Sequence, residues 1–258
     1  MKMISFAVKK GGVGKTTLCK NIAYKLALEN KKVLLIDLDP QATLTLNFSK
    51  PEYNKNKTLK TILTEPTMIF LNQIVQKTKY ENINIIVGGE NLNKTSSLIN
   101  LNYPNEKEQL LLAEVIYQNN KEIFDSYDYV LIDYPPTMQE LALNFLTLSD
   151  LIIVPLTDDG GCYKGLLDLK NTLNMACRIL NKDIPPIKIL LNNVKNNDVS
   201  ATIFKWLQDD SLEKLLLKSQ IKHSDTFAKN TVKLDTIWTN PTYWRQKQAY
   251  EELIAEII

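Results

Sequence analysis

The stretch Lys9-Lys10-Gly11-Gly12-Val13-Gly14-Lys15-Thr16-Thr17, directly after the apolar run Ile4 to Val8, constrains this chain more than any other. Gly11, Gly12 and Gly14 tolerate positive φ and close backbone approach, so successive N–H groups there can converge on one anion. A helix starting near Lys15 adds its positive end and its unpaired amides. Strand, glycine loop and helix in that order predict a phosphate cradle. Against the pattern G-x-x-x-x-G-K-S/T, Gly14, Lys15 and Thr16 match, but Lys9 occupies the first glycine position. The loop is therefore a variant of the form K-G-G-x-G-K-T-T, with Lys10 as an extra lysine before the glycine pair. Lys15 is predicted to reach β- and γ-phosphates, and the Thr16 hydroxyl to complete the coordination of Mg²⁺.

Two later runs deliver acids to the same neighbourhood. Val33 to Ile36 reads as a buried parallel strand ending in Asp37-Leu38-Asp39-Pro40-Gln41, and Tyr129 to Ile132 as another ending in Asp133-Tyr134-Pro135-Pro136. In an open α/β sheet such strand ends share one edge, where phosphates bind. Carboxylates there are costly beside phosphate unless a cation intervenes, which implies Mg²⁺ and a positioned water. Asp133 is the natural Walker-B acid, holding the metal directly or through water. Asn192, at the exit of the strand Ile187 to Leu191, is either an adenine contact or a turn former.

Composition narrows the function classes. At 258 residues, 44% hydrophobic and 23% charged, the chain has the makeup of an ordinary soluble protein, and one domain over 1–258 suffices. A net charge of +2 does not point to nucleic acid by itself, so any DNA surface must be local. Arg178 and Arg245 are the only arginines among 31 basic residues, leaving lysine to make most phosphate contacts. Cys19, Cys162 and Cys177 form no CxxC pair and no even-numbered framework, which favours a reducing cytoplasm. No apolar run reaches about 18 residues and no signal pattern opens the chain, so neither export nor a membrane span is expected. With His223 as the lone histidine, a histidine metal centre or Ser-His-Asp triad is not expected.

Periodicity supplies the remaining elements. Leu18, Ile22, Leu26 and Ala27 predict a helix from near Lys15 to near Asn30. Phe48 to Asn56 reads as loop, followed by short helices through about Gln76 and a strand over Ile83 to Val87. Glu90 to Lys107 reads as an exposed loop with a helical turn. One helix over Glu108 to Ile123 turns Leu111, Leu112, Val115, Ile116 and Ile123 inward. A helix over Tyr163 to Leu180 joins the strands Leu151 to Leu156 and Ile187 to Leu191. A helix over Ser200 to Leu207, a last strand over Leu215 to Ile221 and a closing helix from Pro241 to Ile258 complete the pattern. It is that of a doubly wound α/β fold, with a mostly parallel central sheet and helices on both faces.

The stretches K-G-G-V-G-K-T-T at Lys10 to Thr17, L-L-I-D-L-D-P-Q at Leu34 to Gln41 and L-I-D-Y-P-P at Leu131 to Pro136 resemble the deviant Walker-A ATPases of the ParA/MinD family. They are most similar to the short, Soj-like ParA-type partition proteins. Looser similarity in Ile152 to Leu156 and Ala249 to Leu253 extends the resemblance over almost the whole chain. The resemblance implies that Lys10 is the signature lysine, which crosses an ATP-sandwiched homodimer to the nucleotide of the other subunit. Charge agrees, because a second cation beside Lys15 is repulsive unless polyphosphate lies between them. Lys9 is then the ordinary surface lysine of the pair.

The same resemblance makes Lys10, Lys15 and Asp39 the catalytic set, with Asp39 positioning or activating the attacking water. Asp37 becomes its supporting neighbour, sharing Mg²⁺ with Thr16 and Asp133. Residues Lys10 to Thr17 cradle ATP, Thr17 at the α-phosphate, and the loops after Asp39 and Asp133 act as γ-phosphate switches. Hydrolysis by such a site is slow alone, since Arg178 and Arg245 lie far from the motifs in sequence. An arginine supplied in trans raises such rates by about 10³ to 10⁵. In the family the stimulating partner is a ParB-type centromere-binding protein.

Relatives of this short type bind DNA without sequence preference as ATP-bound dimers, which implies a nucleoid-associated cytoplasmic protein. The DNA candidates are Lys218, Lys222, Lys229, Lys233, Arg245 and Lys247, in a stretch that also holds Lys214 and His223. Relatives use arginines in parts of this region, whereas here lysines stand near Asp225 and Asp235; a solvated helix face is the other reading. Binding that needs ATP and weakens steeply with salt is expected. The acidic end Glu251 to Ile258 argues against a membrane-binding MinD-type helix, and the unpatterned cysteines against iron–sulfur relatives. The start at the first strand argues against an N-terminal helix-turn-helix domain. A positioning ATPase for a protein cargo and a metabolic ATP-dependent enzyme of related fold are the rival functions.

Overall fold

Runs such as Val33–Ile36 and Leu151–Leu156 carry no charge on either side of the pleat, so they are stable only where both sheet faces are covered. The computed structural model, which describes residues 1–64, 70–137, 140–195, 198–225 and 236–258, covers them in that way. Its strands are β1 (Lys2–Phe6), β2 (Val33–Asp37), β3 (Gln76–Lys77), β4 (Ile83–Ile86), β5 (Tyr129–Asp133), β6 (Leu151–Leu156), β7 (Ile187–Val194) and β8 (Leu216–Lys222). Its helices are α1 (Lys15–Leu28), α2 (Thr43–Phe48), α3 (Leu59–Thr64), α4 (Thr95–Asn102), α5 (Glu106–Asn119), α6 (Lys121–Asp125), α7 (Glu140–Leu146), α8 (Gly160–Leu180), α9 (Asp198–Asp209) and α10 (Trp244–Ile257). The strands pair in the order β3-β4-β2-β5-β1-β6-β7-β8, all parallel except the edge pair β3 and β4. This is the doubly wound, mostly parallel architecture that the sequence predicts.

Alternation across the pleat creates two cores. Leu34 and Ile36 of β2, Val130 and Ile132 of β5, and Ile152 and Val154 of β6 join one core. That face is closed through Ile62 of α3, Ile99 of α4, Ile116 of α5, Phe145 of α7, Leu169 of α8 and Leu207 of α9. Val33, Leu35, Leu131 and Ile153 point the other way, onto Leu18 and Ile22 of α1 and Tyr250 and Leu253 of α10. Each such fully buried aliphatic side chain contributes roughly 1.5–3 kcal/mol.

Several element boundaries differ from the sequence reading. The segment from 90 to 107 holds a full helix, α4, because Ile99 is completely buried and anchors an otherwise polar run. The single helix expected over 108–123 is two, α5 and α6, broken at Asn120. That side chain is buried; it accepts from Leu71 N at 2.7 Å and donates to Ile116 O at 2.9 Å. Within α5, Leu110 and Ala113 are buried beside Leu112 and Ile116, whereas Leu111 and Val115, and Ile123 of α6, are only half-buried. Gln76, placed at the end of a helical stretch by the sequence, begins the edge strand β3.

Register then fixes what matters for function. Phe6, the last residue of β1, lies opposite Asp133, and Asp37 of β2 lies opposite Asp133 on its other side. The glycine loop leaving β1 therefore emerges beside both acids.

Candidate functional site

The glycine loop meets two conformational demands. Gly14 N-caps α1 in the left-handed region (φ 91°), and Gly12 is also left-handed (φ 76°). A Cβ on Gly14 would also stand 2.4 Å from Asn192 Nδ2. Both positions thus exclude ordinary side chains without strain. No side chain caps α1, so its positive end faces the loop.

The lysines of the loop have separate anchors. Lys15 is 6% exposed, and its Nζ donates to Lys10 O at 2.7 Å, beneath the loop. Burial pushes its pKa down, opposed by the charges of Asp133 and Asp39. Lys10 lies at the rim and pairs with Asp159 (Nζ to Oδ2 2.8 Å), raising its own pKa and lowering that of Asp159. Asp159 in turn N-caps α8, accepting from Gly161 N at 2.7 Å. Lys9 is not the solvated surface lysine expected: it is half-buried and donates to Thr172 Oγ1 of α8 at 2.9 Å. It is drawn in because Gly165 lets α8 approach the chain there; a Cβ on Gly165 would meet Lys9 O at 2.9 Å.

Asp37 and Asp133 are both fully buried. Asp37 is held by Thr45 N (2.9 Å), Thr45 Oγ1 (2.7 Å) and Asp39 N (3.0 Å). Asp133 accepts from Thr16 Oγ1 at 2.6 Å through Oδ2, while its Oδ1 is buried with no hydrogen-bond partner. Burial pushes the Asp37 carboxyl up to about 6 against its hydrogen bonds. Asp133 is raised well above the usual carboxylate range by burial and then by the charge of Asp37, with Thr16 and Lys15 opposing. Two adjacent buried acids and an orphaned oxygen call for a cation. Among the described residues no group of three or more His, Cys, Asp or Glu forms a cage. The donor set of two carboxylates and a hydroxyl suits a hard oxygen-loving ion that keeps water or phosphate ligands, as Mg²⁺ does.

Asp39 is half-buried at the mouth of the site, its Oδ1 accepting from Gln41 N at 2.9 Å. Gly88 backs it: a Cβ there would lie 2.7 Å from Asp39 O and 2.8 Å from Asp37 Cγ. Its amide donates to Thr45 Oγ1 at 2.9 Å. A cavity of about 260 Å³ opens between the loop (Gly12, Val13, Gly14, Thr17) and the exits of β7 and β8. Asn192 lines it, donating from Nδ2 to Val13 O at 2.7 Å.

The basic candidates are spread over two surfaces. Lys218 and Lys222 leave β8 on its exposed side, whereas α10, which carries exposed Arg245 and half-buried Lys247, packs on the opposite side through Leu217 and Ile221. The Arg245 guanidinium stacks 5.1 Å from the Trp244 ring. Lys229 and Lys233 lie outside the described residues.

Sequence reasoning did not single out Asp159, Thr45 or Gly88. Asp159 carried a helix-start signal, an acid before Gly160-Gly161, and Gly88 closed a predicted strand; Thr45 carried none.

A glycine loop of this geometry, opposite strand-end acids in a doubly wound parallel sheet, defines a P-loop nucleotide-binding domain. Residues 1–185 match the family described as AAA domain. Soj, the sporulation initiation inhibitor protein of Bacillus subtilis, is 30% identical over 190 residues, covering 74% of this chain and 72% of that protein. A virulence plasmid ParA family protein of Chlamydia psittaci is 28% identical over 238 residues, covering 92% of this chain and 86% of the other. Among solved structures, a plasmid partition protein from Borrelia burgdorferi bound to AMPPNP superposes with a TM-score of 0.78 at 26% identity, covering 100% of this chain and 99% of that one. The chain belongs to the AAA domain family and, within it, to the ParA/MinD group of Soj-like partition ATPases. Among the described residues no helix is long and apolar enough to cross a membrane.

Proposed function

We propose that the protein is a single-domain, Mg²⁺-dependent ATPase that acts as a dimerising switch in DNA partitioning. The observation that carries the ATPase reading is the orphaned Asp133 Oδ1, buried beside the Thr16 hydroxyl at the mouth of the glycine loop. Thr16 and Asp133 would hold Mg²⁺, with Asp37 beside them. The ion would neutralise charge on the phosphates and orient them. Lys15 exchanges the Lys10 carbonyl for phosphate oxygens, and Asp39, held by Asp37 through its amide, orients the attacking water. The amides of Gly11 to Thr17 line the cradle. The AMPPNP bound by the Borrelia relative supports ATP as the ligand.

Lys10 supports the switch. Its side chain is at the rim, 38% exposed, and its ammonium pairs with Asp159. Release from Asp159 frees it to reach the nucleotide of a second copy, so that dimer assembly reports ATP. The dimer binds DNA without sequence preference through lysines of the β8 region, and a ParB-type centromere-binding partner stimulates hydrolysis and release on the nucleoid.

DNA binding tests this reading. Affinity measured by fluorescence anisotropy on unrelated duplexes is expected to require ATP, to be lost with ADP, and to fall steeply between about 50 and 200 mM salt. Binding that is indifferent to nucleotide or salt overturns it.

A further inference from the structure

Asp39 sits on a turn that is tied down on every side. Asp37 Oδ1, just upstream, accepts from the Asp39 amide at 3.0 Å. Within the turn, Asp39 O accepts from Ala42 N and Asp39 Oδ1 from Gln41 N, each at 2.9 Å. Ala42 then leads into α2 in the left-handed region (φ 54°), which strains a residue that carries a Cβ. Such a turn persists only where its surroundings over-determine it.

Thr45 of α2 supplies that determination. It is fully buried, and its amide and its hydroxyl both donate to Asp37 Oδ2, at 2.9 and 2.7 Å. The same hydroxyl oxygen accepts from Gly88 N at 2.9 Å. That bond keeps Gly88 against Asp39 O and Asp37 Cγ, where a Cβ would not fit. The helix α2 is also fastened to the helix of the phosphate cradle, because buried Lys20 of α1 donates to Asn47 Oδ1 at 2.8 Å. The Thr45 hydroxyl therefore joins the strand end before the turn, the helix after it and the glycine beside it. A carboxylate that orients a water works only while its geometry is held, and a displacement of about 1 Å costs about 100-fold in rate.

We propose that Thr45 is a positioning residue for hydrolysis, whose hydroxyl holds the turn carrying Asp39 through Asp37 and Gly88. The proposal rests on the ATPase reading above and adds to it a residue that never touches the nucleotide.

Thr45→Val keeps the shape of the side chain and the amide bond to Asp37 but removes the hydroxyl, whereas Thr45→Ser keeps the hydroxyl. Phosphate release from Mg²⁺–ATP and calorimetric affinity for Mg²⁺–ATP are compared in wild type, both variants, Asp39→Ala and Asp39→Ala with Thr45→Val. In Thr45→Val, kcat is expected to fall about 10-fold while affinity stays within about twofold, and Thr45→Ser is expected to recover kcat to within about threefold of wild type. On top of Asp39→Ala, Thr45→Val is expected to cost less than about twofold more, because residues that act as a unit are not additive. Amide exchange over residues 38–42 of the nucleotide-free protein is expected to quicken in Thr45→Val and not in Thr45→Ser. Thr45→Ala, read by the same criteria, replaces the valine variant if that does not fold. A wild-type kcat in Thr45→Val, a serine variant no better than valine, a loss of affinity that matches the loss of kcat, unchanged exchange, or an undiminished loss without Asp39 overturns the proposal. A wild type that does not hydrolyse ATP instead removes the ATPase reading itself, so the two failures are distinguishable.

Discussion

Asp133 and Lys222 both end strands of one sheet, β5 and β8, yet their surroundings are opposite. Asp133 is fully buried, flanked by Phe6 and Asp37 in register and fastened to Thr16. Lys222 is exposed at the sheet's edge strand, where charge meets solvent. The acid's position is dictated by backbone pairing and by the cores on both faces. The lysine's backbone is paired too, opposite Val194 of β7, but its side chain faces solvent rather than a core, and its significance depends on what approaches it. The centre of the sheet therefore defines chemistry, while the edge defines only a surface on which chemistry can be reported.

The sharpest way to break this contrast is to remove the acid. On the proposed reading, Asp133→Ala takes away an oxygen that would face Mg²⁺, where the ion would supply several kcal/mol of charge stabilisation, so phosphate release from ATP is expected to fall by roughly 100-fold or more. An activity within about threefold of wild type would show that the buried edge is not the catalytic one.

The pH dependence of stability probes the same acids without substrate. Burial raises Asp37 to about 6 from an ordinary value of 3.8, and raises Asp133 in the same direction. Protonated, these acids favour the folded state; that contribution is complete below the unfolded carboxylate range and is lost as pH rises through about 6. The melting temperature of the protein in chelator is thus expected to contain a component that declines from about pH 4 to about pH 6. Mg²⁺ with an ATP analogue is expected to flatten it.

Gly88 tests how tightly the acids are backed. In Gly88→Ala the new methyl meets the Asp39 carbonyl, a backbone atom, at 2.7 Å. Such overpacking costs about 1–3 kcal/mol, measurable by chemical denaturation. The smallest effect is expected at the edge, where Lys218→Glu with Lys222→Glu leaves stability within about 0.5 kcal/mol. The same pair is expected to lower the salt slope of DNA binding by about one per lysine that contacts phosphate.

The sequence made the glycine loop, Asp37, Asp39 and Asp133 legible because each is written locally, as glycines before a helix or acids at the end of an apolar strand. Partners contributed by distant segments were not legible in the same way. Nothing near Lys10 announces Asp159, nothing near Asp37 announces Thr45, and the burial of Lys9 depends on Gly165 of a helix more than a hundred positions later. Likewise α4 looked like loop because Ile99 is the only fully buried apolar residue of that helix. Asn192 was legible as a residue at a strand exit, but its bond to Val13 exists only once β7 lies beside the loop.

On the proposed reading, ATP drives assembly through Lys10. Light scattering of wild type, Lys10→Ala and Asp39→Ala with ATP, ADP or no nucleotide tests it most directly. Monomers are expected without nucleotide and with ADP, a dimer with ATP that persists in Asp39→Ala, and no ATP-induced dimer in Lys10→Ala. A mass that ignores nucleotide, or a Lys10→Ala protein that dimerises with ATP as wild type does, would contradict it.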